Sequence, residues 1–291
     1  MTSTCDICPR RCGVNRELGE VGVCGAPANI KVALADLHFW EEPPISGDSG
    51  SGAIFFSHCP LKCIYCQNFS ISRGGKGREV SLEELQGMMM DLQSRGAKNI
   101  NLVSATQWAP QVIDAILQLG SQLRIPIVWN TSSYESVKTI RMLNGVVDTY
   151  LADFKYYSND LAKAFSGASD YFDVATLAIL EMVKAKKNVV VRHLVLPGHK
   201  NDSKLIVKHV QQTFGKSVTL SIMNQYTPVL KTQAERGDTW AARQLEKYPE
   251  LGNVLSEEEY EEVLDYADKI GVENYFWQEG ETCKESFIPA F

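Results

Sequence analysis

Three cysteines lie close together in the stretch SHCPLKCIYCQN, residues 57–68, directly after a predicted strand. Cys59, Cys63 and Cys66 are separated by three and then by two residues. Thiolate sulfur is a soft ligand that favours iron–sulfur clusters, and three ligands on a 4Fe–4S cube leave one iron open, as a catalyst requires. A structural zinc site would normally need a fourth protein ligand, which His58 is poorly placed to supply. The spacing therefore predicts a 4Fe–4S cluster in preference to zinc or to unligated core cysteines.

A second set of cysteines, the N-terminal cysteine group, consists of Cys5, Cys8, Cys12 and Cys24. Ligands spaced by two, three and eleven residues can close a tetrahedral zinc site or hold an auxiliary iron–sulfur cluster. The surrounding sequence has few apolar residues, so a bound metal would supply the stability that a hydrophobic core cannot. This group predicts a second metal or cluster, and the spacing leaves its identity open.

The elements that position these cysteines alternate between strands and helices. Short apolar runs predict strands at 53–57, 99–104, 125–130, 147–154, 188–196 and 218–223, and amphipathic stretches predict helices at 81–95, 110–122, 134–144, 171–186, 203–214 and 256–271. Ser81 and Glu84 form a capping-box pattern at the first of these helices. Such alternation predicts an α/β fold with parallel strands. Six units are too few for a closed barrel, so we expect a partial, open (β/α)6-type barrel with its site at the C-terminal ends of the strands.

Composition divides the chain into three regions. Residues 1–36 are rich in cysteine and glycine and form the metal-binding region, 37–52 form a connector whose prolines and Gly/Ser run predict no regular structure, and 53–291 form the barrel.

Charge and hydropathy exclude several classes of protein. The net charge of -6 argues against nucleic-acid binding, which needs a concentrated basic surface. The sequence shows no signal peptide and no apolar run near the ~20 residues of a membrane span. We therefore expect no nucleic-acid or membrane partner and a cytoplasmic location, where thiols stay reduced.

The Cys-x3-Cys-x2-Cys pattern, with Tyr65 before its third cysteine, resembles the signature of the radical S-adenosylmethionine superfamily. Together with Gln67-Asn68, the segment WEEPPISG and the N-terminal cysteine group, it resembles an uncharacterised subgroup related to pyruvate formate-lyase activating enzymes. The resemblance implies that the open iron binds the amino and carboxylate groups of S-adenosylmethionine. Reductive cleavage then gives methionine and a 5′-deoxyadenosyl radical that removes hydrogen from a substrate.

The same resemblance implies roles for residues at several strand ends. Tyr65 is expected near the adenine, with its backbone reading the base. Asp153 and Lys155 are expected beside the cofactor, with the lysine facing its carboxylate, and a monovalent cation near the aspartate. Arg192 is expected to face the cofactor, which turns the neighbouring His193 towards the helices as a core histidine.

Further polar residues are candidates on position alone. Ser104 and Thr106 stand where many relatives carry Gly-Gly-Glu, and their hydroxyls are the expected substitutes for its contact with the methionine amino group. Asn130 and Ser132 are expected either to hydrogen-bond a ribose or, for the serine, to cap the next helix. Two more are Gln225, expected to reach adenine or substrate, and Cys283, either a redox or hydrogen-transfer residue at the barrel mouth or a partly buried thiol.

The substrate stays open. It is either a partner protein that receives a glycyl radical or a small molecule or peptide that is modified directly. A function of another class, a non-catalytic iron–sulfur electron carrier or sensor, would need a fourth cluster ligand and no cofactor pocket. We expect a flavodoxin or ferredoxin as electron donor, and function without oxygen. An RNA-modifying enzyme is disfavoured by the acidic balance.

Overall fold

A computed structural model describes residues 4–273 and 275–278. One mixed sheet has the strand order β3-β1-β2-β4-β5-β6-β7-β8. Its strands are β1 Ile30–His38, β2 Ser51–Phe56, β3 Arg78–Val80, β4 Ile100–Val103, β5 Ile127–Thr131, β6 Thr149–Asp153, β7 Asn188–Leu194 and β8 Thr219–Met223. From β2 to β8 neighbouring strands pair in parallel, whereas β1 pairs antiparallel with both β2 and β3.

Helices follow most strands, and those that follow the parallel strands pack on one face of the sheet. They are α1 Pro43–Ser46, α2 Phe69–Ser72, α3 Leu82–Ser94, α4 Ala109–Leu119, α5 Val137–Leu143, α6 Asn159–Ser166, α7 Tyr171–Lys184, α8 Lys200–Thr213, α9 Val229–Glu235, α10 Thr239–Lys247 and α11 Glu257–Lys269. The Ser81 hydroxyl accepts from the backbone N–H of Glu84 and the Glu84 carboxylate accepts from that of Ser81, so the predicted capping box is formed.

The described sheet stays open. Its outer strands are β3 and β8, and Phe276 adds one parallel bridge beside β8 at Ser221. The predicted α/β fold with an open, partial barrel is thereby confirmed. All six predicted strands occur, as β2, β4, β5, β6, β7 and β8.

The two faces of the sheet differ because successive side chains on a strand point in opposite directions. One face, including Ile54, Trp129 and Tyr150, joins the main hydrophobic core with the helices. The concave face starts with an apolar layer in which Ile45 packs against Val128, Leu151 and Val190. Two residues further along these strands the concave side chains become polar, and this change places the charged residues near the C-terminal edge.

Two features at the beginning of the chain differ from expectation. Strand β1 crosses the end of the predicted metal-binding region and joins the main sheet, where Ile30 and Val32 are buried. The prediction that residues 37–52 hold no regular structure is wrong, because α1 lies inside this stretch and β2 begins at Ser51. Proline fits there because the first turn of a helix leaves its N–H groups unpaired in any case.

Candidate functional site

The loop that carries the three cysteines, residues 57–68 (the cysteine loop), leaves the sheet at the C-terminal end of β2. His58 at its start has φ 65°, and Ser104 and Ser133, which follow β4 and β5, each have φ 58°. Residues other than glycine rarely adopt this left-handed conformation, and they concentrate at functional sites. Three such residues at one edge of the sheet mark this edge as the region of the site.

Two of the three sulfur atoms in the cysteine loop already accept hydrogen bonds. The Ser166 hydroxyl donates to Cys63 Sγ at 2.9 Å and the Ser72 hydroxyl to Cys66 Sγ at 3.3 Å. A chain of hydroxyl contacts extends from Ser166 through Tyr156 at 2.6 Å to Tyr65 at 2.7 Å. The Tyr65 side chain is therefore held within the core. The predicted contact of its backbone with adenine stays a prediction.

The cysteine loop is also fixed through its backbone to helix α6 and to the start of the chain. The N–H of Ile64 donates to the carbonyl of Phe165 at 2.8 Å. Arg10 Nε donates to the carbonyl of Pro60 at 2.9 Å, and Lys62 Nζ donates to the carbonyl of Cys24 at 3.0 Å. The region of the N-terminal cysteine group thus lies directly against the cysteine loop.

A buried network of charges lies on the concave face at the ends of β6 and β7. Arg192 Nη2 lies 2.8 Å from Asp153 Oδ1 and 2.6 Å from Asn130 Oδ1, and Arg192 Nη1 lies 2.8 Å from Glu41 Oε2. Lys155 Nζ contacts the other oxygen of Asp153 at 2.7 Å. These five residues (the ion network) bring together four predicted site residues, and the Arg192 side chain is only 12% exposed.

The ion network keeps its charges because each burial penalty is offset by a partner. Burial raises the pKa of Asp153, but Arg192 and Lys155 outweigh it and hold this pKa below its ordinary value. Burial lowers the pKa of Lys155, but the Asp153 carboxylate outweighs it and raises this pKa. The pKa of Arg192 is likewise raised against burial, chiefly by Asp153. Lys155 is therefore a fixed cation at the strand ends, suited to binding a carboxylate.

Residues 41–46 (the plug) enter the concave face from the connector, and the sequence analysis missed their role. Glu41 Oε1 accepts from Asn101 and Asn130, each at 3.0 Å, while its other oxygen pairs with Arg192. Glu42 Oε2 lies 3.8 Å from Arg192 and has no hydrogen-bond partner within the described residues. Burial raises the pKa of Glu42. The only sequence signal was an acidic pair before two prolines, and it does not reveal contacts with strands far along the chain.

The remaining candidates at the strand ends each make contacts within the protein. Asn130 belongs to the ion network. The expectation that Ser132 caps the next helix is wrong, because α5 begins at Val137 and its N-cap is Ser136. The Ser132 carbonyl accepts from the Tyr171 hydroxyl at 2.8 Å, and the Gln225 carbonyl accepts from the Gln67 amide at 2.7 Å. His193 is buried and contacts the Phe154 carbonyl through Nδ1 at 2.8 Å, on the face opposite Arg192. Cys283 lies outside the described residues.

Thr106 is bound to a buried carboxylate that the sequence did not predict as a site residue. Its hydroxyl donates to Glu135 Oε1 at 2.7 Å, as do the Thr131 hydroxyl at 2.8 Å and Trp129 Nε1 at 3.1 Å. Burial raises the pKa of Glu135. This hydroxyl is thus already used within the protein, which leaves Ser104 as the candidate hydroxyl at the end of β4.

The N-terminal cysteine group lines one cavity, together with Arg10, Arg16 and Thr106. Across residues 4–273 and 275–278, however, no three Cys, His, Asp or Glu side chains already stand in the arrangement of a metal site. This holds for the cysteine loop as well as for the N-terminal group. Binding of a metal or cluster would therefore require the sulfur atoms to rearrange, as happens where metal binding completes a local fold.

The cysteine loop fits an iron–sulfur cluster by its chemistry. Its three thiols are the donor type such clusters use, and serine hydroxyls already donate to two of the sulfurs. Burial raises the pKa of the Cys59 thiol, and the nearby Lys155 offsets this only in part. A cluster would supply the missing positive charge, because a thiol bound to metal is deprotonated outright. Lys155 and Arg192 could then hold the carboxylate of S-adenosylmethionine.

The described residues contain no helix with the length and apolar character needed to cross a bilayer.

Comparisons with known proteins agree with this site. Residues 53–209, more than half of the chain, match the family model described as the Radical SAM superfamily. An uncharacterised protein, MJ0674 of Methanocaldococcus jannaschii, is 30% identical over an alignment of 279 residues that covers 92% of this chain and 75% of that protein. The match therefore extends well beyond the residues of the family model.

Among solved structures, SuiB of Streptococcus suis bound to its precursor peptide SuiA has a TM-score of 0.55 at 13% identity, covering 76% of this chain and 46% of SuiB. Spore photoproduct lyase has a TM-score of 0.52 at 13% identity, covering 76% of this chain and 74% of that protein. This chain thus spans less than half of SuiB, and at this identity the likeness concerns the fold. With the family match and the cysteine loop at the C-terminal edge of the sheet, these findings establish that the chain belongs to the radical S-adenosylmethionine superfamily of enzymes.

Proposed function

We propose that this enzyme uses S-adenosylmethionine to generate a radical on a segment of a partner protein, as an activating enzyme does. The observation that carries the proposal is the plug. Glu41 and Ile45 lie on the concave face of the barrel beneath the strand ends, so the chain itself takes up space there that a buried substrate would need. A substrate then approaches from the C-terminal edge, where an extended polypeptide segment can reach the cysteine loop.

The roles of the site residues follow from their contacts. Cys59, Cys63 and Cys66 hold the cluster, which with S-adenosylmethionine supplies the one-electron cleavage that yields methionine and a 5′-deoxyadenosyl radical. Lys155, whose pKa is raised, stays charged and binds the cofactor carboxylate. Arg192 completes this cationic side and is itself oriented by Asp153 and Glu41. Ser104 and Ser132 offer polar groups at the neighbouring strand ends for the remainder of the cofactor.

The partners and further groups are part of the same proposal. A flavodoxin or ferredoxin supplies the electron, in a cytoplasm without oxygen, because a reduced cluster with an open iron is readily oxidised. The carboxylate oxygens of Asp153 are already bound by Arg192 and Lys155, which disfavours a monovalent-cation site there. The N-terminal cysteine group holds a second metal. A structure of SuiB holds a precursor peptide, and this is consistent with a polypeptide substrate for the fold.

Cleavage of the cofactor is tested first. The chain is reconstituted anaerobically with iron and sulfide, reduced with dithionite and given S-adenosylmethionine, and 5′-deoxyadenosine is measured by mass spectrometry. We expect product from the native chain and none from the variant with Cys59→Ala, Cys63→Ala and Cys66→Ala. Circular dichroism serves as the control that the variant is folded. Equal product from both proteins would refute the assignment of the cysteine loop.

The substrate class is tested by following the hydrogen. Cells of the source organism are grown on glycine deuterated at Cα, and their extract is separated by dialysis into a macromolecular and a small-molecule fraction. An activase removes hydrogen from a protein-bound glycine, so deuterium should enter 5′-deoxyadenosine only with the macromolecular fraction. If only the small-molecule fraction stimulates product formation, the substrate is a small molecule and the activase proposal is wrong.

A further inference from the structure

We propose that the N-terminal cysteine group binds a single zinc ion in a tetrahedral site that braces the cysteine loop, and that this group does not carry a second iron–sulfur cluster. The inference rests on the part of the proposed function that gives this group a second metal, and it identifies that metal as one that takes no part in cleaving S-adenosylmethionine.

The first observation is convergence. Cys5, Cys8, Cys12 and Cys24 come from two separate stretches of sequence and yet line the same cavity. Four thiols around one cavity form a complete ligand set for a structural zinc ion, which uses four ligands and keeps no open position. The absence of a finished metal arrangement among the described residues applies equally to the cysteine loop, so it does not count against the N-terminal group.

The second observation is the size of the cavity. Its volume is about 10 Å³. A cavity must have roughly 10–15 Å³ to hold one water molecule, so the space suits one small ion. A cube of four irons and four sulfides is several times larger than this space. Gly22 packs tightly against this cavity, because a methyl group on its Cα would meet Cys12 Sγ at 2.8 Å.

The third observation is the set of donors that surround the sulfur atoms. Arg16 Nη2 donates to Cys5 Sγ at 3.3 Å, the N–H of Val23 to Cys12 Sγ at 3.3 Å, and the N–H of Ala26 to Cys24 Sγ at 3.4 Å. Such donors stabilise thiolates, and groups around metal ligands commonly orient them in this way.

The fourth observation is the shortage of other stabilising contacts. Leu18, Val21 and Val23 are 75%, 59% and 48% exposed, so the apolar side chains of this region do not form a core of their own. The loop from Cys5 to Val14 is closed by backbone hydrogen bonds, including one from the N–H of Cys5 to the Val14 carbonyl at 2.9 Å. A zinc ion would join this loop to Cys24 and stabilise both.

The N-terminal cysteine group is joined to the cysteine loop by hydrogen bonds. Arg10, between two of the ligands, donates to the carbonyl of Pro60 at 2.9 Å and to that of Ser166 at 3.2 Å. In the opposite direction, Lys62 of the cysteine loop donates to the carbonyl of Cys24, one of the proposed ligands. Zinc would therefore fix the loop that carries Cys59 and Cys63 without touching the cofactor.

The test is the metal content of three proteins produced in medium that contains both zinc and iron. The native chain should contain one zinc per chain in addition to its iron. The variant with Cys59→Ala, Cys63→Ala and Cys66→Ala should lose its iron and keep the zinc. The variant with Cys8→Ser and Cys12→Ser should lose the zinc.

Two outcomes would overturn the proposal. Iron and labile sulfide remaining in the variant without the cysteine-loop thiols would show a cluster at the N-terminal group. A folded native chain with neither zinc nor cobalt uptake would show free thiols. If the Cys8→Ser, Cys12→Ser variant fails to fold, cobalt binding by the cysteine-loop variant decides. Tetrahedral Co²⁺ bound to thiolates gives intense visible bands, and this readout does not depend on enzyme activity.

Discussion

Replacement of Arg192 by methionine tests whether the ion network holds the site together. The change removes the hydrogen bonds of Asp153 Oδ1 and of Glu41 Oε2 with Arg192, at 2.9 Å and 2.8 Å, and leaves both carboxylates buried. Removing one partner of a buried ion pair typically costs about 3–5 kcal/mol. Asp153 keeps Lys155, and Glu41 keeps two asparagine amides, so we expect the lower end, about 3 kcal/mol. At roughly 2–4 °C per kcal/mol, the melting temperature should fall by about 10 °C.

The assay is thermal and urea unfolding followed by circular dichroism at several pH values. The native pKa of Asp153 is lowered, so its pairing stabilises the fold above the unfolded pKa of about 3.9 and is lost as pH falls through the folded pKa. The difference between the native chain and the Arg192→Met variant should thus be largest near neutral pH and shrink below pH about 4.

The matched control is Arg95→Met. Arg95 also bridges two carboxylates, Asp36 and Asp91, but its side chain is 41% exposed. Exposed ion pairs contribute little because water already solvates both charges, so we expect only a small change in the free energy of unfolding at every pH. An Arg192→Met variant as stable as the Arg95→Met variant at neutral pH would refute the reasoning that the network is buried and mutually dependent.

Three further predictions concern neighbouring groups. Glu41→Gln should lower the free energy of unfolding at pH 7. Glu42→Gln should preserve or raise it, because burial raises the pKa of Glu42 and ionising this carboxyl therefore costs stability above pH about 4.5. Urea titrations at two pH values measure both effects. Lys155→Met should weaken S-adenosylmethionine binding roughly 10- to 100-fold, the value of a charge-assisted hydrogen bond, in calorimetry with reconstituted protein; unchanged affinity would exclude its carboxylate contact. Ser166→Ala removes the donor to Cys63 Sγ and should make the cluster harder to reduce, which a redox titration followed by electron paramagnetic resonance would detect. An unchanged reduction potential would show that this hydroxyl turns away once the cluster binds.

The parallel strands were predictable because most of their residues are apolar. Leu102, Leu151 and Val191 are fully buried, and strands covered on both faces consist mainly of apolar residues. Strand β1 was missed because only Ile30 and Val32 of its nine residues are buried, which leaves a weak pattern. Strand β3 has only three residues and is exposed except for Val80. Elements at the edge of a sheet are defined by their partners more than by their own composition.

Some residues of the candidate site are marked by a local sequence pattern, whereas others are defined only by contacts with distant residues. The cysteines could be recognised because their spacing is itself the chemical signal. Asp153, Lys155 and Arg192 could be recognised because charged residues interrupt apolar strands at their ends. Glu41 could not, since its partner Arg192 lies 151 residues away and no local pattern marks the contact.

The partner of the Thr106 hydroxyl could not be predicted from the sequence. Thr106 was expected to bind the cofactor, and its place after β4 is as expected. Its hydroxyl nevertheless donates to Glu135, which stands in the segment that follows β5. Which way a hydroxyl points depends on the acceptors that folding brings near it, and the acceptor here is a buried carboxylate on another strand–helix unit.

The residues before the family match belong to the site as closely as those within it. The matched region begins at residue 53, yet Arg10 contacts Pro60 at the C-terminal edge and Glu41 reaches Arg192 on the concave face. The start of the chain therefore meets the barrel twice, once from outside against the cysteine loop and once from inside as the plug. Removing residues before 53 would leave the Arg192 guanidinium without one buried carboxylate partner and the cysteine loop without its Arg10 contact. The barrel and the start of the chain are thus expected to fold as one cooperative unit, in which the N-terminal residues contact the cysteine loop and the plug contacts Arg192.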